Sequence, residues 1–324
     1  MAAIVDPGGP QLAVLPSNPV PEGAEAGYVD TTDNVRLRHA RWPRTAGAPR
    51  GTICLVHGRT EFIEKYFETI ADLQQRGFSV ATFDWRGQGG SARLTSNRAL
   101  GYVESFEDYV TDLTSFHSRI LLPDCPPPYY LVGHSMGGLV ALMAAARDRM
   151  MFDRILLSAP MLALERQPLS MGGMASLAEA FCFLGLGQLP VGRRQERMPS
   201  ERTFAGNPLT SDLRRYMRSV DVIVAHPELA IGSPSMRWSA AAMRAMSDAQ
   251  ADAFPLAIKV PVLMLAAARD EVVSTPAIET LGLRMRTGRH LMIPAARHEL
   301  FMEADGIRGQ VLAAVDAFLT EQSG

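Results

Sequence analysis

The chain has 324 residues, 47% of them hydrophobic and 20% charged, and a mean hydropathy of +0.02, which excludes a largely disordered polymer. Its 32 basic and 34 acidic side chains sum to −2, so no global positive field favours nucleic acid or an anionic membrane. At about 150 residues per domain, the length suggests two units.

The first residues, MAAIVDPGGPQLAVLPSNPVPEGAEA, lack a basic n-region and an unbroken apolar core. They predict a flexible N-terminal arm over residues 1–27 rather than a secretory leader. Cys54, Cys125 and Cys182 are widely spaced and read as buried small hydrophobes, not as a disulfide framework or metal site. They are compatible with a reducing, cytoplasmic setting.

From about residue 50, strand-like and helix-like runs alternate. GTICLVH reads as a buried strand, and Ile63, Tyr66, Phe67, Ile70 and Leu73 share one helical face up to Gly77. SVATFDW is the next strand, and a helix is expected from Ser105 to Leu122. The uncharged stretch Cys125–Ala146 is long enough to span a membrane, but three prolines and a central glycine-rich turn make it a buried strand, YYLVGH, followed by a buried helix. RILLSAP is another strand. After an irregular segment, VPVLMLAA and HLMIPAA resume the pattern, and a last helix covers about Gly306 to Glu321. Such alternation implies βαβ units, hence an α/β fold with a mostly parallel, doubly wound sheet.

GHSMGG is the most informative string. Gly133, Ser135 and Gly137 form GxSxG between an apolar strand and an apolar helix, the context of a nucleophile elbow. A serine hydroxyl needs a base held by an acid, and in this architecture the order is Ser, acid, His. Asp270 follows VPVLMLAA and His298 follows HLMIPAA, each beyond a strand's C-terminal end. Glu271 is the alternative acid. His290 starts its strand at the wrong end, His134 is directed beneath the turn, and His57 shapes a loop. His39, His117 and His226 read as structural or surface residues.

An oxyanion needs two donors. The backbone N–H of Met136 is one, and that of Arg59, in HGRTE, is the other expected donor. The Arg59 side chain is expected in a surface pair with Glu61 or an aspartate, or against an acidic head group. FDWRGQGGSA lacks a phosphate-loop ending and reads as a rigid turn in which Asp84 and Arg86 pair.

These strings fall in the order seen in α/β-hydrolases. Residues 28–320 resemble that superfamily, and HGRTEFIEKY, RGQGGS, GHSMGG and GNPLTSD resemble its monoacylglycerol lipase and bacterial lysophospholipase branch. The resemblance implies a Ser135-Asp270-His298 triad, a core over residues 28–160 and 237–324, and a mainly helical cap over 161–236. It implies neither metal nor organic cofactor.

Ser135 and Asp270 lie 135 positions apart, and two βα units fill only about half of that, which leaves room for the cap. LSMGGMASLAEAFCFLGLGQLPVG contains Glu179 as its single charge. It is expected to line an acyl tunnel or touch the inner face of a membrane, with plain helix packing as the alternative. RRQERMPSER is expected to be a solvated face or a phosphate contact. The expected reaction is hydrolysis of a single-acyl lipid ester, a lysophospholipid or monoacylglycerol. The alternatives are an aminopeptidase of the proline-iminopeptidase sort, using Glu196, Glu201 or Glu228 for a free amine, a small-molecule esterase or thioesterase, and a non-catalytic binding protein.

Overall fold

The computed structural model describes residues 11–166, 171–192 and 204–320. Eight strands form one sheet: β1 (Glu25–Asp30), β2 (Arg36–Trp42), β3 (Thr52–Val56), β4 (Ser79–Phe83), β5 (Tyr129–His134), β6 (Arg154–Ser158), β7 (Val262–Ala267) and β8 (Gly288–Ile293). Their order is β1-β2-β4-β3-β5-β6-β7-β8. The hairpin β1–β2 and the β2–β4 pair are antiparallel; every later pair is parallel. All residues of β3, β4 and β6 are buried, whereas β8, at the edge, alternates between partly buried and exposed positions. Continuous apolar runs therefore became interior strands covered on both faces.

The main helices are α1 (Phe67–Gln75), α2 (Phe106–Phe116), α3 (Met136–Arg147), α4 (Met171–Phe181), α5 (Leu213–Ala225), α6 (Met236–Gln250), α7 (Thr275–Arg284) and α8 (Asp305–Thr320). Ser105 starts α2 by accepting the Glu107 N–H, and Asp108 returns a bond to the Ser105 N–H. This capping box fixes where the chain turns into the helix. The helix continues past Phe116 as a wider turn over His117–Leu121, close to the expected end at Leu122. Asp212 and Ser235 cap α5 and α6 with their side chains alone, accepting the Arg215 and Trp238 N–H groups.

The chain leaves β3 through α1 to β4 on one side, then crosses back through α2 to β5 on the other. This reversal opens a crevice at the C-terminal ends of β3 and β5, where open α/β sheets hold their ligands. The segment between β6 and β7 contains α4, α5 and α6. The buried face of α6 packs against α4 as well as the core helices α2 and α3. The expected return to the core at residue 237 falls in its first turn.

Two sequence expectations are corrected. The expected flexible arm is packed over its described part: Ala13 donates its N–H to Glu64 Oε1, and the buried Asn18 amide donates to the Glu64 carbonyl. Asp84 and Arg86 do not pair. Arg86 binds Asp33 and Asp112, while Asp84 binds Arg38. The antiparallel β2–β4 register supplies the reason, because Arg38 sits directly before the His39–Phe83 pair and so reaches the end of β4. Burial pushes the Asp112 carboxyl up to about 7 even though Arg86 opposes it.

Arg38 also makes a two-pronged bond to Glu64 at 2.7 and 2.8 Å. Asp84 further accepts the Ile63 and Gly90 N–H groups. This buried cluster joins β2, the end of β4 and the turn over Ile63–Tyr66 that leads into α1. Removing one partner strands buried charge, which costs about 3–5 kcal/mol. Arg38→Met is therefore expected to lower urea-unfolding stability by about 3–5 kcal/mol; a loss below about 1 kcal/mol would contradict this role.

Candidate active site

Ser135 stands at the sharp turn from β5 into α3, with φ 49° and ψ −115°. That left-handed conformation is strained for a residue with a side chain. Interlocking hydrogen bonds hold it: the Ser135 N–H donates to the Ser158 carbonyl, and the Ser135 carbonyl accepts from Gly138 and Met161. A side chain at Gly137 would lie 2.6 Å from the His57 carbonyl oxygen and 2.9 Å from that of Val56. Glycine is thus required for the first turn of α3 to approach the end of β3. One at Gly133 would meet Gly138 Cα at 3.2 Å, a milder crowding.

The His298 imidazole lies between the other two expected residues. Its Nε2 is 3.0 Å from Ser135 Oγ and its Nδ1 is 2.8 Å from Asp270 Oδ2. All three are buried. The second Asp270 oxygen accepts the Val272 and Val273 N–H groups at 2.8 and 2.9 Å. Burial disfavours the Asp270 charge, but the His298 bond and these backbone donors outweigh it and hold the carboxyl below its ordinary range. Glu271 is exposed, and His290 is half-buried against Gly282 of α7.

His134 lies beneath the turn, its ring 4.8 Å from that of His298. Its Nδ1 donates to the Ser158 carbonyl, 3.0 Å away. Burial keeps the ring neutral, with a pKa lowered to about 4. His117 is satisfied by the Met151 carbonyl, and His226 pairs with Glu228 near the surface.

The loop after β3 folds back over α3. Gly58 donates its N–H to Glu61 Oε2 at 2.5 Å, so that donor is already engaged. Thr60, with φ 65°, donates its N–H to Gln88 Oε1. Gln88 also reaches Met136 Sδ, 3.8 Å away. The Arg59 N–H lies between the engaged Gly58 and Thr60 donors, and the Met136 N–H belongs to the first helical turn, whose donors the helix leaves open. The expected Arg59–Glu61 side-chain pair does not form. The Arg59 guanidinium instead donates to the Gly232 carbonyl and stacks 5.1 Å from the Trp238 ring centroid. Glu61 turns inward, since it accepts from Gly58 and Tyr66 and forms an ion pair with Lys65.

Lys65 contacts Glu61 at 2.7 Å and Glu299 at 2.6 Å. Burial disfavours charge on both carboxyls. The Lys65 charge holds Glu61 below its ordinary range, whereas burial and the charge of Glu61 hold Glu299 above it. This cluster ties the loop after β3 to the loop carrying His298.

GNPLTSD, in the segment between β6 and β7, fastens that second loop. Asn207 Oδ1 closes a turn by accepting the Leu209 and Thr210 N–H groups. The Leu209 carbonyl accepts the Glu299 N–H at 2.8 Å, and Thr210 Oγ1 donates to the Met302 carbonyl. Arg297 donates to the Asn207 and Thr210 carbonyls. Sequence reasoning noted the string but not this role; its Asn-Pro and Ser-Asp turn chemistry was the available signal.

Ser135 and His298 open into a cavity of about 630 Å³. Apolar groups of α6, including Trp238, Ala242, Met243 and Met246, line it with Met161 and Leu164. Ala178, Phe181 and Val191 of the apolar tract around Glu179 line it too, whereas Phe183, Leu184 and Leu189 face outward. Part of that tract, and the expected Arg-rich face with Glu196 and Glu201, lie outside the described residues. Among the described residues, no helix is long and apolar enough to cross a membrane, and no group of His, Cys, Asp and Glu forms a metal cluster.

Residues 47–305 match the family described as "Serine aminopeptidase, S33". Lysophospholipase L2 of Escherichia coli K12 is 31% identical over 280 residues, 84% of this chain and 81% of the relative. Monoglyceride lipase of Rattus norvegicus is 29% identical over 154 residues, covering 47% of this chain and 48% of its own. A soluble variant of monoglyceride lipase from Saccharomyces cerevisiae superposes with a TM-score of 0.69 at 20% identity, over 91% of this chain and 94% of that one.

The neutral His134 gives a pH test. Its folded pKa of about 4 lies below the ordinary 6.5, so its contribution is complete above about 6.5 and is lost as pH falls towards 4. Between pH 7.5 and 5, the wild type is expected to lose about 2 kcal/mol more unfolding stability than His134→Asn. Equal losses would show that the imidazole is not held neutral.

Proposed function

The chain belongs to the serine aminopeptidase S33 family and is a carboxylic ester hydrolase on the α/β-hydrolase fold; from that premise we propose that it cleaves single-acyl lipid esters, lysophospholipids or monoacylglycerols, through Ser135, His298 and Asp270. The observation that carries the reading is the buried Ser135–His298–Asp270 chain opening onto an apolar cavity.

Ser135 Oγ attacks the ester carbonyl while His298 Nε2 takes its proton. Asp270 keeps the Nδ1 proton directed towards itself and stabilises the imidazolium. The Met136 and Arg59 N–H groups receive the oxyanion. Its collapse expels the alcohol, which leaves with the proton from His298. Water, activated by the same imidazole, then releases the fatty acid. The flexible Met and broad aromatic surfaces of the cavity suit an acyl chain.

A peptidase reading needs a free carboxylate for the substrate ammonium. Among the described residues, the cavity carboxylates Glu61 and Glu299 both bind Lys65, and Glu228 is exposed beside His226. That arrangement favours the ester. The outward Phe183 and Leu184, 92% and 70% exposed, adjoin a residue of the cavity wall, Phe181. They are proposed as the peripheral contact with a membrane that presents the substrate.

Ser135→Ala is expected to abolish hydrolysis of lysophosphatidylcholine and monoacylglycerol while leaving the circular dichroism spectrum unchanged. Wild-type turnover by that variant would contradict the assignment, and cleavage of aminoacyl amides with none of either lipid would favour the peptidase. Phe183→Ser with Leu184→Ser is expected to weaken co-sedimentation with phospholipid vesicles about tenfold or more; unchanged co-sedimentation would remove the proposed contact.

A further inference from the structure

Arg59 is the only lysine or arginine among the described residues lining the cavity. It lacks a carboxylate partner there: its guanidinium meets the neutral Gly232 carbonyl and the Trp238 face, and its Nε is buried without an acceptor among the described residues. The two lining carboxylates are directed to Lys65, below the loop. Burial accordingly lowers the Arg59 pKa to about 10, so it remains charged at neutral pH.

A half-buried cation with spare donors and no counter-ion is costly unless a ligand supplies the anion. The surroundings hold the group in place. Gly101 donates its N–H to the Ser233 carbonyl, and Ser235 donates back to the Gly101 carbonyl, which fixes the 232–235 segment. A side chain at Gly101 would come within 2.8 Å of Arg59 Nη2. Trp238, which flanks the guanidinium, is itself anchored by a hydrogen bond to the Tyr109 hydroxyl at 3.0 Å. Nη2 is taken by the Gly232 carbonyl, and the charged group keeps further N–H donors of the kind that match phosphate oxygens.

The same residue supplies the N–H proposed for the oxyanion, so its side chain starts beside the scissile carbonyl. The apolar walls of α6 accommodate the acyl chain, which leaves the cation for the alcohol portion. We propose that the Arg59 guanidinium recognises a phosphate on the alcohol portion of the substrate, and so selects phosphate-bearing single-acyl esters over esters of a neutral alcohol. This deepens the lipid-ester reading above and rests on it for the chemistry.

Binding tests the proposal independently of turnover. Dissociation constants are measured for dodecylphosphocholine, a neutral dodecyl glyceryl ether and dodecanoate, all below micelle formation. The wild type is expected to prefer the phosphate amphiphile to the ether. Arg59→Met should reduce that preference about tenfold or more, the scale of a lost charge-assisted hydrogen bond. Arg59→Lys, which keeps the charge without the fork, should fall between. If Arg59→Met does not give a native circular dichroism spectrum, Arg59→Gln carries the same comparison, because it retains a donor for the Gly232 carbonyl.

A preference that moves less than about twofold in the folded variants overturns the proposal. So does an equal loss for dodecanoate, since the guanidinium would then meet the acyl carboxylate. A hydrolysis panel pairing lysophosphatidylcholine with monoacylglycerol separates the two readings. If the wild type cleaves neither, the lipid-ester function fails while the binding preference still decides the role of Arg59.

Discussion

The close approach of the start of α3 to the end of β3 is the constraint on which the site depends. Gly137 allows it, since a side chain there would overlap the backbone carbonyls of Val56 and His57. The approach forces the turn at Ser135 into a left-handed conformation and brings the loop at 58–61 beside the first N–H groups of the helix. The proposed nucleophile and both proposed oxyanion donors therefore come from two neighbouring strands at one switch point. Strain at Ser135 is supported by bonds to Ser158, Gly138 and Met161 rather than by the turn alone.

Buried charge holds the rest in register. Arg38, Glu64 and Asp84 join β2, the end of β4 and the turn before α1, and they anchor the chain from residue 13. Lys65, one residue further on, reaches the opposite way to Glu61 and Glu299. One short stretch thus couples the sheet, the loop after β3 and the loop bearing His298. GNPLTSD closes the frame from the segment between β6 and β7, so the position of His298 depends on a segment remote from the triad in sequence. The same arrangement accounts for Arg59: with Glu61 drawn inward to Gly58, Tyr66 and Lys65, the arginine two residues earlier keeps no carboxylate partner among the described residues.

Much of the fold was legible because the interior strands are continuous apolar runs, and their order carries Ser135, Asp270 and His298 to strand ends. The GxSxG context marked the elbow by a steric need that the Gly137 geometry makes explicit. Pairings of charged side chains were not legible. Asp84 and Arg86 are neighbours in sequence, yet the antiparallel β2 brings Arg38 to Asp84, and Arg86 turns to Asp33 and Asp112. The arm read as loose from its prolines and glycines is held by single polar contacts at Ala13 and Asn18, which leave no periodic trace. The segment around α4 showed its apolar character in sequence, but the division between cavity-lining Phe181 and outward Phe183 depends on its tertiary placement.

The central claim is that Ser135 is the activated hydroxyl facing the cavity. Reaction of the full chain with an alkyl fluorophosphonate, followed by peptide mapping by mass spectrometry, tests it most directly. The account predicts one stoichiometric adduct on the peptide containing Ser135, its formation slowed when monoacyl lipid occupies the cavity. Failure to label, or an adduct on another residue with Ser135 unmodified, would contradict it.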